Sequence, residues 1–141
     1  MPETVTVRHA RLSDVEEILL FWTRSAEGKN VTDDAGGVAG LIQRDPLALL
    51  IAEVDGGVVG TVIAGWDGWR CHLYRLAVDP AMRREGIATL LLDHAEQRFR
   101  DLGGRRLDAM VLDGNDLAHS AWASAGYAAQ PEWSRWVKPL K

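Results

Sequence analysis

The residues best suited to chemistry in this 141-residue chain are Arg83-Arg84-Glu85-Gly86-Ile87-Ala88. They follow a short apolar, β-prone run, Cys71 to Val78, which Asp79-Pro80 stops. Beyond them Ala88, Leu91, Leu92, Ala95, Phe99 and Leu102 recur at helical spacing and give one apolar face. A strand, a basic glycine-bearing turn and a helix, in that order, aim several backbone N–H groups and a helix N-terminus at one point. That arrangement suits a diphosphate. The turn has no Lys-Ser/Thr pair after its glycine, so it is not a nucleoside-triphosphate P-loop. It has one glycine where the dinucleotide fingerprint has three. The competing reading is a surface turn whose arginines serve solubility.

The elements that must position this turn are legible on either side of it. Thr4 to His9 alternates Val with polar residues and predicts a strand. Ser13 with Glu16 has capping-box spacing, and Val15, Ile18, Leu19 and Trp22 form a helical stripe ending near Gly28. Thr32-Asp33-Asp34 can cap a second helix running to Arg44. Gly36, Gly37 and Gly40 weaken it, so a short or mobile helix is expected, ended by Asp45-Pro46. Leu47 to Val54 and Val58 to Trp66 are β-rich runs joined by Asp55-Gly56-Gly57, a hairpin signal. Trp66-Asp67-Gly68-Trp69 turns the chain into the Cys71 strand. Gly103-Gly104 caps the central helix, and Arg106 to Leu112 reads as a fifth strand, parallel to the fourth because a helix crosses between them. Asn115 is placed as the N-cap of a last helix, where Ala118, Ala121, Trp122 and Ala125 share a face and Gly126 is the end. Tyr127 to Gln130 and Ser134 to Lys138 read as two short strands around Pro131.

Composition sets outer bounds. The length suits one domain, residues 1–141, with a real core. A net charge of −4 argues against nucleic acid as a partner. A single cysteine rules out an internal disulfide and suits a reducing, cytoplasmic setting. The N-terminal MPETVTVRHA has no apolar core of a signal peptide, and no run approaches a membrane span, so no membrane partner is expected. His9, His94 and His119 show no ligand spacing, and no metal is expected. Arg98, Arg100, Arg105 and Arg106 read as a solvated face. Of the six tryptophans, Trp22, Trp66 and Trp69 either wall an acceptor site or pack on the sheet. Exposed strand edges with Trp133 and Trp136 leave a homodimer open.

Two motifs resemble those of the GNAT N-acetyltransferases. Arg83-x-x-Gly86-x-Ala88, with Leu76-Ala77-Val78 just upstream, resembles the family's pyrophosphate-binding motif. Asn115-x-x-Ala118-x-x-x-Trp122-x-x-x-Gly126-Tyr127 resembles its later helix. The order of elements matches the family along nearly the whole chain, with the look of its small bacterial members. The resemblance implies an α/β (α+β) fold: a mixed, mostly antiparallel sheet of six to seven strands with four flanking helices, strands four and five parallel and splayed. It also implies an acetyl-CoA-dependent transfer to an amine-bearing small molecule or peptide. Leu76, Ala77 and Val78 would then pair with the pantetheine arm. The turn of Arg83, Arg84, Glu85, Gly86, Ile87 and Ala88 would hold the pyrophosphate through N–H groups, and Asn115 would reach the pantetheine besides capping its helix.

Acetyl transfer to an amine needs a neutral amine, a stabilised oxyanion and a leaving thiolate. A backbone N–H near Leu76 or Ala77 is the expected oxyanion donor. With strand alternation His72, Tyr74, Leu76 and Val78 share a face unless a bulge intervenes. His72 lies four residues before Leu76, where some members carry a catalytic Glu, and an imidazole suits removal of an ammonium proton. A strand histidine with a structural hydrogen bond is the competing reading. Tyr74 is expected to act at, or shape, the acceptor site. At Trp122 the family usually has a tyrosine that protonates the thiolate. Indole donates a hydrogen bond but does not give up its proton as phenol does, so Tyr127 or water is an alternative donor. Met110 stands where some relatives have a Glu, and Cys71, pointing away from His72, reads as core. An enzyme is therefore the leading reading. A non-catalytic acyl-CoA-binding module that has lost its general acid is the alternative.

Overall fold

The structure, a computed structural model, describes residues 4–25, 33–111 and 113–140. Gly28 and Thr32, at which a helix end and part of a cap were expected, lie outside these residues, as does Leu112. The described residues fall into two compact units that divide between Met110 and Val111.

The first unit is built on one five-stranded sheet with its strands in chain order: β1 (Thr6–His9), β2 (Leu49–Val54), β3 (Gly57–Trp66), β4 (Cys71–Val78) and β5 (Leu107–Ala109). The pairs from β1 to β4 are antiparallel, and β4 with β5 is parallel. The β2–β3 hairpin turns on Asp55 and Gly56, with φ of 50° and 80°. Two successive positive φ values give the loop twist that matches the strands.

Alternation along the strands sorts the core into two faces. Leu49, Ile51, Val58 and Ala77 cluster with Ile18, Phe21 and Trp22 of α1 (Val15–Ser25) and with Val38 and Ile42 of α2 (Ala35–Arg44). The other face is covered by α3 (Ile87–Asp101), whose Ile87, Leu91, Leu92, Ala95 and Phe99 are buried. Leu102, expected on that face, is exposed. Where α3 ends, Gly104 donates its N–H to the Phe99 carbonyl at 2.8 Å. A Cβ on Gly104 would overlap Cys71 Sγ, so this glycine is fixed by the packing of the cysteine.

Three expectations change at the helix ends. The cap of α1 is not the Ser13–Glu16 box. A 3-10 turn, Leu12–Asp14, precedes α1, and Asp14 Oδ2 accepts the Arg11 N–H at 2.7 Å. Arg8 of β1 decides this, because its guanidinium forks onto both Asp14 oxygens at 2.8 and 2.9 Å and orients the carboxylate. Nor is α2 short. It runs ten residues, with Asp34 accepting the Gly37 N–H at 2.7 Å and Val38 and Ile42 anchoring it to the core. Finally, Arg98 is not solvated. It donates to the Ala64 carbonyl at 3.1 Å and pairs with Asp45 at 2.5 Å, tying α3 to the end of α2.

The Arg8–Asp14 fork should matter to stability. The hydrogen bonds from Arg8 hold the Asp14 carboxyl below the usual carboxylate range, assisted by the Arg11 N–H. A depressed folded-state pKa contributes stability that is complete above the unfolded value and is lost as pH falls through the folded one. Asp14→Ala is expected to cost about 2–3 kcal/mol at neutral pH, because the Arg11 N–H loses its acceptor and Arg8 loses its bidentate partner, keeping only Glu53 and the His9 carbonyl. Urea unfolding should show the deficit shrinking as pH drops below about 4, where the carboxyl of the unfolded chain takes up its proton first, and vanishing once the folded carboxyl is protonated too.

The second unit contains α4 (Asp116–Ser124), capped by Asn115, whose Oδ1 accepts the Ala118 N–H at 2.9 Å. Gly126, φ 94°, follows its end. The two strands expected from Tyr127 to Gln130 and from Ser134 to Lys138 are not formed among the described residues, so the sheet has five strands rather than six or seven. A strand exists only with a partner, and register needs a buried face. Here Pro131 and Pro139 remove donors, and Trp133 and Trp136 are 74 % and 92 % exposed.

Candidate active site

The turn between β4 and α3 has the geometry of an anion cradle. Asp79 Oδ1 accepts the Ala81 N–H at 2.9 Å and starts a 3-10 turn, Pro80–Met82. Arg84 and Gly86 then adopt φ of 67° and 80°. A left-handed arginine is uncommon, and alternation of this kind curls successive N–H groups into a concavity. The first intrahelical bond of α3 runs from the Leu90 N–H to the Gly86 carbonyl at 3.0 Å. The N–H groups of Gly86, Ile87, Ala88 and Thr89 therefore have no partner within the helix. Arg83, Arg84, Glu85 and Gly86 are exposed, and among the described residues neither arginine is held in an ion pair. Ile87 is 2 % exposed and anchors the turn in the core, so only its backbone faces the cradle. No protein atom lies within 4 Å of the point where a Cβ on Gly86 would sit. Packing does not demand this glycine; the backbone conformation and the space above it do.

Beside the cradle, β4 runs on past its pairing with β5 among the described residues. Its parallel pairing with β5 covers only Cys71, His72 and Leu73, opposite Leu107, Asp108 and Ala109. Beyond Leu73, β4 continues to Val78 while β5 has ended, short of the expected Leu112. Leu76, Ala77 and Val78 lie on this open stretch. A bulge intervenes in it: Tyr74 pairs with Ile63 and Ala77 with Thr61, so Arg75 and Leu76 together oppose one residue of β3. Ala77, not Leu76 or Val78, therefore shares the face of His72 and Tyr74, and the simple alternation fails at this point. Arg75, φ 50°, carries the kink. Its carbonyl accepts from Thr61 Oγ1 at 2.8 Å, and that hydroxyl accepts from Trp22 Nε1 at 2.9 Å. The Arg75 guanidinium lies over the Trp22 ring and pairs with Asp33, next to the cap of α2. Trp22 thus packs on the sheet and fixes the bulge rather than walling an acceptor site.

His72 sits on β4 below the bulge. Its Nδ1 is 2.8 Å from Asp108 Oδ1 on β5, and its Nε2 is 3.6 Å from Asp67 Oδ2 in the β3–β4 turn. The other Asp67 oxygen accepts the N–H groups of Trp69 and Arg70 at 2.8 and 2.7 Å, which chiefly hold this carboxyl below its ordinary range. The Tyr74 ring stands 6.2 Å from the imidazole, centroid to centroid. Gly65 leaves room for it, since a Cβ there would lie 3.2 Å from Tyr74 Cε2. Cys71 is on the opposite face and buried, and burial pushes its thiol up, away from the thiolate a nucleophile needs. Trp66, Trp69, Arg70, Arg105, Arg106 and Asp108 border an open cleft of about 510 Å³ at this end of the sheet. Among the described residues no group of three or more His, Cys, Asp or Glu is placed to hold a metal ion, and no helix is long and apolar enough to cross a membrane.

Within the second unit, Asn115 uses Oδ1 as the helix cap, which leaves its NH2 as the group able to donate to a ligand. Trp122 is half-buried and meets Tyr127 edge to face, centroids 4.8 Å apart.

Sequence reading missed Asp108, Asp67, Thr61 and Gly65. Thr61 was signalled only as one polar residue inside the apolar run from Val58 to Ala64, and Asp108 as one charge between Leu107 and Ala109. The partners of both depend on register, which is not local.

The sequence model of the Acetyltransferase (GNAT) family matches residues 12–127, spanning the cradle, the β4 edge and α4. The chain belongs to this family. Consistent with that, it is 32 % identical over 124 residues to an acetyltransferase of Yersinia enterocolitica, covering 88 % of each chain. Two solved structures share the GNAT fold at low identity. The Ard1 protein of Thermoplasma volcanium superposes with a TM-score of 0.80 at 20 % identity, covering 89 % of this chain and 84 % of its own. The PaiA N-acetyltransferase of Thermoplasma acidophilum, solved in complex with coenzyme A, does so with 0.78 at 16 % identity, covering 90 % and 91 %.

Proposed function

We propose that this chain is an acetyl-CoA-dependent N-acetyltransferase that works in the cytoplasm as a single domain and acetylates a primary amine by direct attack in a ternary complex. The observation that carries this reading is the cradle: four first-turn N–H groups of α3 beside a Gly86 whose Cβ position is open space. Gly86, Ile87, Ala88 and Thr89 would take the diphosphate through their backbones, with Arg83 and Arg84 adding charge. The stretch Leu76, Ala77 and Val78, which β5 does not pair, would align the pantetheine as an added strand, and a backbone N–H near Leu76 or Ala77, beside the bulge, would donate to the oxyanion. The thioester supplies an acetyl group activated for attack. His72 takes the ammonium proton, and Tyr74 orients the acceptor beside it. The relatives' names support acetyl transfer, and the coenzyme A held by the Thermoplasma acidophilum protein supports the donor.

The test is release of CoA thiol from acetyl-CoA in the presence of primary amines: a polyamine, an aminoglycoside, an arylalkylamine and a peptide with a free N-terminus. Amine-dependent release with mass gain of 42 Da on the amine, a gain of about one acetyl group by the chemistry of acyl transfer, is the expected result. Release independent of every amine would contradict it.

One observation favours the alternative of a binding module. Trp122 stands at the acid position and its indole cannot protonate a thiolate. A thiolate with a thiol pKa of about 8.5 leaves tolerably near neutral pH without an acid, however. Trp122→Tyr is therefore expected to keep turnover or raise it up to about tenfold, the scale of a modest general-acid effect. A tenfold or larger loss in steady-state rate would instead assign Trp122 a role of its own beside Tyr127.

A further inference from the structure

His72 lies in the part of β4 that β5 pairs, and residues outside both family motifs hold its ring. Asp108 Oδ1 lies 2.8 Å from Nδ1, and across the parallel β4–β5 pair His72 and Asp108 are register partners. A carboxylate only accepts, so Nδ1 must carry a proton and donate it. In the neutral ring Nε2 is then the lone pair. Asp67 Oδ2 is 3.6 Å from Nε2, beyond hydrogen-bond length, and is kept there because Oδ1 of the same carboxylate is engaged by the Trp69 and Arg70 N–H groups. Asp108 from β5, Asp67 from the β3–β4 turn and Tyr74 from β4 are the titratable groups that face the imidazole, and the Cys71 thiol feels the same two carboxylates from the opposite face. Both carboxylates are half exposed, so water screens their charge and hydrogen-bond geometry carries the effect.

We propose that Asp108 is a positioning residue for this transfer reaction: it fixes His72 as the Nδ1–H tautomer and so presents Nε2 to the acceptor amine. The inference rests on the N-acetyltransferase reading and deepens it. The acceptor arrives as an ammonium. One N–H bond of the ammonium breaks, its proton joins the Nε2 lone pair, and the electron pair left on nitrogen attacks the thioester carbonyl to form the C–N bond. As the tetrahedral adduct collapses, the C–S bond breaks with its electron pair on the CoA sulfur, and the second N–H proton of the former amine passes through water to that thiolate, giving the amide and free CoA thiol. The imidazolium so formed donates to Asp108 through Nδ1 and faces Asp67 through Nε2–H. Asp67 thereby favours the proton-loaded state without competing for Nε2 beforehand.

Long-range proton–nitrogen NMR of the full-length protein reads the tautomer directly, with the His72 signals identified by their loss in His72→Gln. In its neutral form, wild-type His72 should be mainly the Nδ1–H tautomer. Asp108→Ala should convert it mainly to the Nε2–H form that a free imidazole prefers. With the best amine of the panel, the same variant should lower kcat about tenfold or more, because the ring then presents the wrong nitrogen to the amine. KM for acetyl-CoA should change less than about twofold, since the cradle is elsewhere. A wild-type Nε2–H tautomer overturns the proposal before any variant is made. An unchanged tautomer in Asp108→Ala, or a changed tautomer with unchanged kcat, also overturns it. If no amine is acetylated at all, the transfer reading itself fails. Activity beside an Nε2–H tautomer removes the role of Asp108 alone.

Discussion

Gly86→Glu is expected to weaken acetyl-CoA binding at least about 100-fold, or ~2.7 kcal/mol, while the chain still folds. The two effects separate because of what surrounds this glycine. Its φ of 80° penalises any L-residue by about 1–2 kcal/mol, which a domain of this size survives. No protein atom lies within 4 Å of the new Cβ. The carboxylate would instead lie over the free N–H groups at the start of α3, take the place of a phosphate and repel its neighbour. Gly86→Ala shares the backbone strain but adds no charge, so it should fall between wild type and Gly86→Glu in affinity and match the latter in thermal midpoint. Calorimetric titration and thermal unfolding of the three proteins check this. Equal affinities would remove the diphosphate from the cradle.

Thr61→Val should be the most destabilising conservative change in the first unit. Thr61 is 0 % exposed, and its hydroxyl is the only link in a buried relay from the Trp22 indole to the Arg75 carbonyl among the described residues. Valine fills the same volume and satisfies neither group. Taking a hydrogen-bond partner from each of two polar groups costs about 1–3 kcal/mol per group, so a loss of about 2–6 kcal/mol is expected in urea unfolding, with the denaturant slope unchanged. Thr61→Ser restores the hydroxyl and should recover most of it. Because the relay ends on the β4 bulge, beside the strand proposed to supply the oxyanion donor, Thr61→Val should also lower kcat about tenfold or more under conditions where it remains folded, the scale seen when an oxyanion donor is misplaced. A variant that loses stability but keeps full kcat would separate the bulge from catalysis.

Local signals account for most of the architecture. The Asp55-Gly56 turn, the Asp34 and Asn115 caps and the apolar face of α3 are each decided within a few residues, and each is where the sequence places it. Misreadings occur where distant residues decide. Ser13 lost the cap to Asp14 because Arg8, on a different element, orients that carboxylate. The strand face of His72 breaks at Arg75 because a buried hydroxyl fourteen residues earlier stabilises the bulge. The strands expected after Gly126 had β-prone residues but, among the described residues, neither partner nor buried face. The cradle was legible because its chemistry is a property of one contiguous turn. The setting of His72 was not, because Asp108 reaches it only through the register of a parallel pair formed across α3.

The most direct measurement is calorimetric titration of the purified protein with acetyl-CoA, with CoA and ATP as comparisons. The expected result is a one-to-one complex with acetyl-CoA and with CoA, of roughly micromolar affinity, about −8 kcal/mol, and much weaker binding of ATP, which lacks the pantetheine arm for the β4 edge. Absence of acetyl-CoA binding would contradict the assignment of Arg83 to Ala88 as a diphosphate cradle, and the acetyl-transfer reading built on it.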